Sequence, residues 1–260
     1  MSNSPNRFLD DPKLYTLESN VVTSLPLQFG GHLVAAGQTI FRAAGGGQPE
    51  DHGTVEISGR SYPVSEVRKL NGKTYVGVPG LMSPPNTGDK MVQTIDPHRR
   101  DQLSRLHTLQ HLISAAAFRR FPELKPVGTG IDDDPMVAWT RFNCLGDAHD
   151  RDLSIIDQTV RSWVLSDLEI EQRRFKSVSH AEFAYPETFR VDASVKLTGK
   201  VRMIVINTVD CNPCAGTHWH SSNVGAYEIK VSPIELDGIP GVELRASLSP
   251  TWMYWFCDQK

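Results

Sequence analysis

The stretch DPHRRDQLSRLHTLQHLISAAAFRRF, residues 96–121, predicts a long buried helix. Asp96 can cap its start and Pro97 suits the first helical position, whereas Pro122 discourages continuation at the far end. Apolar residues recur along it with helical spacing, and these are Leu103, Leu106, Leu109, Leu112, Ile113, Ala116 and Ala117. So much apolar surface indicates a helix that lies inside a core.

Two histidines of this helix share a metal-binding pattern with a cysteine and a histidine much later in the chain. His107 and His111 lie one turn apart, so a helix puts both side chains on one face within reach of a single ion. Cys214 and His218 have the same spacing in CAGTH and bracket a Gly-Thr turn. Such residues suit the tetrahedral coordination of Zn²⁺. We therefore predict a zinc site formed by His107, His111, Cys214 and His218.

Neighbouring residues leave other interpretations open. His220 is a substitute ligand if its segment is extended, because alternate residues then point the same way. Cys211 and Cys214 form a CxxC pair, but no βαβ pattern of the thioredoxin type surrounds it, so we interpret Cys211 as a bystander thiol. The glycines at 45–47 lack the Lys-Ser/Thr of a phosphate loop, which argues against nucleotide hydrolysis.

Composition and charge restrict the class of protein. With 39% hydrophobic and 22% charged residues, the chain has the balance of a soluble globular protein. It has no signal-like start and no apolar run long enough to span a bilayer, so we expect a cytoplasmic protein without membrane contact. Four cysteines are too few for a disulfide scaffold. The net charge of -3 argues against indiscriminate nucleic-acid binding, and we expect no DNA partner.

The pattern of elements predicts two domains, residues 1–95 and 96–260, in an α+β fold. In the first domain, short β-rich runs separated by turn signals indicate a small β-barrel, and these runs are His32–Ala36, Thr39–Arg42, Thr54–Ile57, Tyr62–Leu70 and Thr74–Val78. In the second, strands alternate with helices as in an α/β two-layer sandwich. Its predicted elements after the long helix are the apolar run Met136–Phe142, an amphipathic helix Leu153–Leu165, and the strands Val201–Val209, Tyr227–Val231 and Val242–Leu248.

Three motifs resemble the editing domain of alanyl-tRNA synthetase and its free-standing AlaX relatives. They are the glycine-rich TIFRAAGGGQPEDHG at 39–53, the HxxxH helix that follows DPHRR at 96–100, and DCNPCAGTH at 210–218. Their order and spacing match that family over most of the chain. Because no aminoacylation domain precedes them here, the resemblance is to the medium-length free-standing form, with an attached β-barrel, that edits in trans.

The resemblance implies an ATP-independent, zinc-dependent aminoacyl-tRNA deacylase. Its implied substrate is tRNA(Ala) mischarged with serine or, in some members, glycine. In this family the glycine segment faces the zinc pocket, so Gln48 becomes a catalytic candidate, together with Thr39 and with Thr217 of the CAGTH segment. The tRNA is expected to meet basic residues around the long helix, namely Arg99, Arg100, Arg105, Arg119 and Arg120.

The chain departs from the family pattern at two positions, with Ala215 in place of a glycine and Arg42 in place of an aromatic residue. Two other functions stay open. One is a zinc-dependent deacylase of another aminoacyl-tRNA or aminoacyl ester, and the other is a non-catalytic RNA-binding homologue with structural zinc. We expect the aromatic segment 251–257 to pack on the core, and the sequence leaves monomer and homodimer open.

Overall fold

The computed structural model describes residues 5–122, 125–143, 150–190 and 197–249, and the predicted packing of the aromatic segment 251–257 lies outside these ranges. The chain divides into two compact units, Met1–Ser104 and Arg105–Lys260. Both contain antiparallel sheets, and helices accompany them, so the fold is mixed α+β. No helix in the described parts of the chain is both long and apolar enough to cross a membrane.

The first unit contains a curled seven-stranded sheet. Its strands are β1 (Thr16–Pro26), β2 (His32–Ala36), β3 (Gly53–Ile57), β4 (Arg60–Pro63), β5 (Glu66–Leu70), β6 (Lys73–Val78) and β7 (Lys90–Ile95). They pair antiparallel in the order β4-β3-β7-β1-β2-β6-β5. The long β1 pairs with β7 through its first half and with β2 through its second half, and its register shifts between Val21 and Thr23. Such a bulge bends a strand, which lets one strand join both halves of the sheet.

Asn71-Gly72, a dipeptide that predicts a β-hairpin from the sequence, forms the turn that it predicts. Both residues have positive φ, 48° and 76°, and they connect β5 to β6 in a tight hairpin. The predicted single strand Tyr62–Leu70 is instead divided between the end of β4 and all of β5. Pro63 lies at the break, and a proline lacks the N–H that a continuing ladder needs.

The predicted strand Thr39–Arg42 is wrong. In this segment the side chains of Gln93 and Asp51 take the place of a neighbouring strand. The Ile40 N–H donates to Oε1 of Gln93 at 3.2 Å, and the Arg42 N–H donates to Oδ2 of Asp51 at 2.7 Å. Because the backbone donors are satisfied in this way, the segment stays buried without joining a sheet.

The long helix is confirmed as α1 (Pro97–Arg120), and most of its length lies in the second unit. The other elements are β8 (Lys125–Asp133), β9 (Met136–Asn143), α2 (Asp150–Leu165), β10 (Ile170–Phe175), α3 (Val178–Ala184), β11 (Val201–Ile206), β12 (Asp210–Pro213), β13 (Tyr227–Leu236) and β14 (Ile239–Leu248). They form a four-stranded sheet β13-β14-β9-β8 and a three-stranded sheet β10-β11-β12. Helix α1 is fixed to the first of these sheets by Gln110, whose amide donates to the Gly130 carbonyl at 2.6 Å.

The predicted strand Val201–Val209 ends earlier, at Ile206. The chain reverses at Thr208, which has a φ of 58°, and returns as β12. Strand β12 pairs antiparallel with β11, with Pro213 opposite Met203. This reversal brings the start of the CAGTH segment back alongside a buried strand.

Candidate metal centre

Four side chains of the second unit converge on one point. The ligand atoms of His107, His111, Cys214 and His218 all lie within 4.8 Å of one another. The Cys214 Sγ lies 3.3 Å from Nε2 of His218 and 3.5 Å from Nε2 of His107. One sulfur and three imidazoles at these separations form a donor set of the kind that binds Zn²⁺.

Each ligand residue is positioned by a regular element or a fixed loop. His107 and His111 lie one turn apart on α1, and Cys214 directly follows β12. The Gly216 N–H points at the Cys214 Sγ at 3.3 Å, so the loop closes around the sulfur. His107 and His218 are buried, whereas the other two ligand residues are half-buried.

Two of the histidines are oriented by partners behind them. Nδ1 of His111 lies 2.8 Å from Oδ2 of Asp210, and Nδ1 of His218 lies 3.3 Å from Oγ1 of Thr108. The Thr108 oxygen also accepts the N–H of Trp219 at 3.0 Å, which fixes the hydroxyl. With Nδ1 engaged, each ring turns Nε2 towards the centre of the cluster, as in metal sites with a supporting outer shell.

The loop that carries Cys214 is anchored by Arg202 on β11. The Nη1 of Arg202 donates to the Cys214 carbonyl at 2.6 Å and to the Gly216 carbonyl at 3.1 Å. Charge-assisted bonds of this kind are stronger than neutral ones. The backbone on both sides of Ala215 is therefore held in place.

The electrostatics of the cluster favour metal-binding protonation states for two residues. Burial alone would raise the pKa of the Cys214 thiol, but the charge of His107 and the hydrogen bonds from His107 and His111 hold it well below its usual value and favour the thiolate. Burial, together with the charge of His107, lowers the pKa of His218 well below its usual value and keeps that ring neutral. Thiolate and neutral imidazole are the forms that coordinate zinc.

The pKa of His111 is raised, unlike that of His218, because His111 has a carboxylate partner. Burial alone would lower the pKa of His111, but the hydrogen bonds to Asp210 and Cys214 outweigh it and raise the value to about 10. Metal binding through this ring therefore requires release of a proton at neutral pH. The donor set fits zinc, and uptake of the ion is coupled to pH.

The two alternative residues lie outside the cluster. Cys211 is fully buried among apolar side chains. Burial, with the charge of Asp210, raises the pKa of its thiol to about 12, which disfavours redox chemistry and agrees with the bystander interpretation. His220 is exposed, and its ring lies 4.7 Å from that of Trp219.

The glycine segment in the first unit is a loop whose carbonyls are hydrogen-bonded to Arg42. Gly45, Gly46 and Gly47 have φ values of 144°, 57° and 79°, which only glycine adopts readily in succession. The Arg42 guanidinium donates to the carbonyls of Gly45, Gln48 (2.9 Å) and Pro49 (3.2 Å). Arg42, which departs from the family pattern, is thus a buried residue that holds the loop.

The three predicted catalytic residues are all buried. Thr39 donates its hydroxyl to Oε1 of Gln93 at 2.7 Å, and Gln48 lies in the glycine loop of the first unit. Thr217 lies in the second unit, next to the cluster residue His218.

The five arginines predicted to meet tRNA differ in exposure. Arg99, Arg100 and Arg105 are buried, whereas Arg119 and Arg120 are exposed. Arg100 makes a bidentate pair with Asp51, with contacts of 2.9 and 2.6 Å, so its charge is used within the first unit. The guanidinium of Arg105 stacks over Trp219, 3.6 Å from the ring centroid.

The residues that orient the cluster histidines were not predicted from the sequence. Asp210 and Thr108 both stood inside the quoted motifs, but neither was given a role. Their positions next to the predicted ligands could have indicated a role, because Thr108 follows His107 directly and Asp210 begins the DCNPCAGTH segment. Arg202 had no signal in the sequence, since its contact with the loop depends on how β11 and β12 pair.

The chain is similar to part of the alanine–tRNA ligases of several organisms. It is 26% identical over 225 residues to the alanine–tRNA ligase of Methanobrevibacter smithii, which covers 84% of this chain and 24% of the ligase. It is 25% identical over 252 residues to the same enzyme of Methanopyrus kandleri, covering 95% of this chain and 27% of that ligase. No protein-family model matches the sequence.

A free-standing editing protein is similar to the chain as well. The alanyl-tRNA editing protein AlaX-L of Pyrococcus horikoshii is 25% identical over 197 residues, which is 75% of this chain and 46% of that protein. The chain thus spans about a quarter of the ligases and just under half of AlaX-L. Together, these similarities over most of the chain support an AlaX-like editing domain.

Proposed function

We propose that this protein is a trans-editing hydrolase that deacylates mischarged tRNA(Ala), with Ser-tRNA(Ala) as its main substrate and Gly-tRNA(Ala) as a second. The observation that carries the proposal is the cluster of three histidines and one cysteine, in a chain similar to AlaX-L. Such a cluster suits hydrolysis of an aminoacyl ester, which needs little more than a positioned water and stabilisation of the developing charge.

The proposed cofactor is Zn²⁺, held by His107, His111 and Cys214, with His218 as a fourth ligand or as a group that faces water. Zinc bound there would lower the pKa of water, polarise the ester carbonyl or hold a substrate amino or hydroxyl group. The protein's own contribution is orientation, because Asp210 fixes the ring of His111 and Arg202 fixes the loop around Cys214.

His218 differs from the cluster residue His111 in its protonation state. Its imidazole is neutral at physiological pH because burial lowers its pKa, and Thr108 fixes its Nδ1 side. A neutral ring can accept a hydrogen bond at Nε2 if that nitrogen does not hold the ion. In that case His218 would orient the attacking water.

The remaining proposed roles rest on the family resemblance. We propose that Thr39, Gln48 and Thr217 contribute to substrate binding and catalysis. The exposed pair Arg119 and Arg120 is the better candidate for tRNA contact, because the other predicted arginines are buried. The same resemblance supports a closed β-barrel for the first unit and a two-layer sandwich for the second.

The proposal is tested by the rates at which the purified protein hydrolyses tRNA(Ala) charged with serine, glycine or alanine. We expect rapid loss of serine, slower loss of glycine and little loss of alanine. His218→Ala should reduce serine release, whereas the matched variant His220→Ala, which removes an exposed histidine of the same segment, should not. A preference for alanine would overturn the editing function.

Two results would redirect the assignment to the alternatives. Cleavage of another aminoacyl-tRNA with tRNA(Ala) left intact would assign a different deacylase. Absence of hydrolysis in the zinc-loaded protein, with tRNA still bound, would assign a non-catalytic RNA-binding protein with a structural metal.

A further inference from the structure

Arg190 packs against α1, and among the described residues no carboxylate forms an ion pair with it. Its backbone N–H donates to the Cys211 carbonyl at 3.1 Å, which fixes the chain beside β12. Its guanidinium carbon lies 5.1 Å from the ring centroid of Phe118. Among the described residues, no group accepts a hydrogen bond from its buried Nε. Because a buried donor without an acceptor is costly, an acceptor from outside the chain would stabilise this side chain.

Helix geometry relates Arg190 to the metal cluster. Phe118 follows His111 by seven residues, so both side chains lie on nearly the same face of α1, about 10 Å apart along the helix axis. Arg190 packs over Phe118. Its guanidinium is therefore displaced along the helix from the ligand His111 by roughly two turns.

A second arginine, Arg119, directly follows Phe118, the residue over which Arg190 packs, and it is exposed in the last turn of α1. Burial lowers the pKa of Arg190, the charge of Asp210 raises it, and the charge of Arg119 lowers it further. Within the described parts of the chain, neither arginine takes part in an ion pair. Among the described residues Asp210 is a nearby carboxylate, but it is already bonded to His111 and to Asn212. As far as the described residues show, both guanidinium groups can therefore meet an anion.

We propose that Arg190 and Arg119 bind a phosphodiester close to the 3′ end of the aminoacylated strand and so align its ester with the metal cluster. This proposal rests on the proposed function and names a binding site for that substrate. A guanidinium matches phosphate oxygens through paired N–H donors, and partial burial strengthens such bonds. The carboxylate of Asp210 disfavours a free anion, so the occupant is a phosphate on a strand that is also held at its ester end.

The test compares two small substrates that differ by one phosphodiester. Seryl-adenosine has no phosphate, whereas the seryl ester of the dinucleotide CpA has one. We expect Arg190→Gln, which keeps the aliphatic stem over Phe118, to raise KM for seryl-CpA by about 10- to 100-fold. Hydrolysis of seryl-adenosine should not change, and Arg190→Lys should recover part of the loss. Arg119→Gln should show the same selectivity with a smaller effect.

Controls separate a lost contact from a damaged fold. Arg161→Gln removes an exposed arginine from α2, where it pairs with Asp157, and should leave both substrates unaffected. Zinc content and melting temperature of Arg190→Gln should equal those of the wild type. An equal effect of Arg190→Gln on both substrates, or no effect on either, would overturn the proposal.

Direct binding distinguishes this proposal from the proposed function. The uncharged dinucleotide CpA should bind the wild-type protein more tightly than Arg190→Gln, and the salt dependence of its binding should be weaker in the variant, by about 0.7 in log–log slope. If the wild type hydrolyses no seryl ester but binds CpA through Arg190, the proposed function fails and the phosphodiester site stands. If CpA binds both proteins equally, or inorganic phosphate competes as well as CpA does, the site is overturned.

Discussion

The carboxylate of Asp210 lies 2.8 Å from Nδ1 of His111, although the two residues are 99 positions apart in the chain. Asp210 begins β12, and His111 lies in the middle of α1. The contact fixes which nitrogen of the ring faces the other cluster residues. It also raises the pKa of His111, so the same bond that orients the ligand makes metal uptake compete with a proton.

Replacing Asp210 by asparagine should weaken zinc binding by about 10- to 100-fold while all four cluster residues remain. The amide loses the charge that supports the imidazole as a ligand, although its shape is similar. Competition with a chromophoric chelator measures the affinity. Asp157→Asn is a matched control, because that carboxylate pairs with the exposed Arg161 on α2. Equal affinities for the two variants would contradict the role given to Asp210.

The sequence predicted the elements whose signals are local. The start and end of α1 follow from Asp96, Pro97 and Pro122, and the four cluster residues follow from the equal spacing in two motifs. The Asn71-Gly72 hairpin was also predictable, because its turn type demands those residues.

Features that depend on long-range partners could not be predicted. The segment Thr39–Arg42 has the composition of a strand, but Gln93 and Asp51 take its backbone donors instead. Arg100 looked like part of a basic surface, yet it is buried against Asp51. Gln93 is 53 positions from Ile40, and Asp51 is 49 positions from Arg100, so a local pattern does not contain these contacts.

The hydrogen bonds from Arg42 to the glycine loop predict that substitution of Arg42 destabilises the first unit. Arg42→Ala would leave the carbonyls of Gly45, Gln48 and Pro49 without their charged donor. We expect the free energy of unfolding of the first unit to fall by about 3 kcal/mol, as measured by urea titration. Arg42→Lys should recover only part of this, because an ammonium lacks the fork that reaches several acceptors.

A surface arginine of the same unit provides the comparison for Arg42. Arg68 forms an exposed pair with Glu66 on β5, and Arg68→Ala should cost less than about 1 kcal/mol. If Arg42→Ala and Arg68→Ala destabilise the protein equally, the hydrogen bonds of Arg42 do not stabilise the loop.

The two described cysteines should differ in reactivity. In metal-free protein at pH 8, Cys214 should alkylate readily, because its pKa is lowered and its thiolate is present. Cys211, with a pKa of about 12, should remain a thiol and react only as the pH rises towards that value. Peptide mapping by mass spectrometry after iodoacetamide treatment distinguishes the two sites.

Zinc provides the control for this experiment. Addition of one equivalent should protect Cys214 and leave the slow labelling of Cys211 unchanged. Rapid labelling of Cys211 at pH 8 would contradict its buried position, and labelling of Cys214 that zinc does not affect would contradict its role as a ligand.

We propose that His107, His111, Cys214 and His218 form the metal centre of an editing deacylase. The most direct test is the initial rate of Ser-tRNA(Ala) hydrolysis, measured as zinc is added back to chelator-treated protein. We expect the rate to rise in proportion to bound zinc up to one ion per chain, and we expect Cys214→Ala and His107→Ala neither to bind the ion nor to recover activity. Full activity in the zinc-free protein, or in a Cys214→Ala variant that holds no zinc, would contradict it.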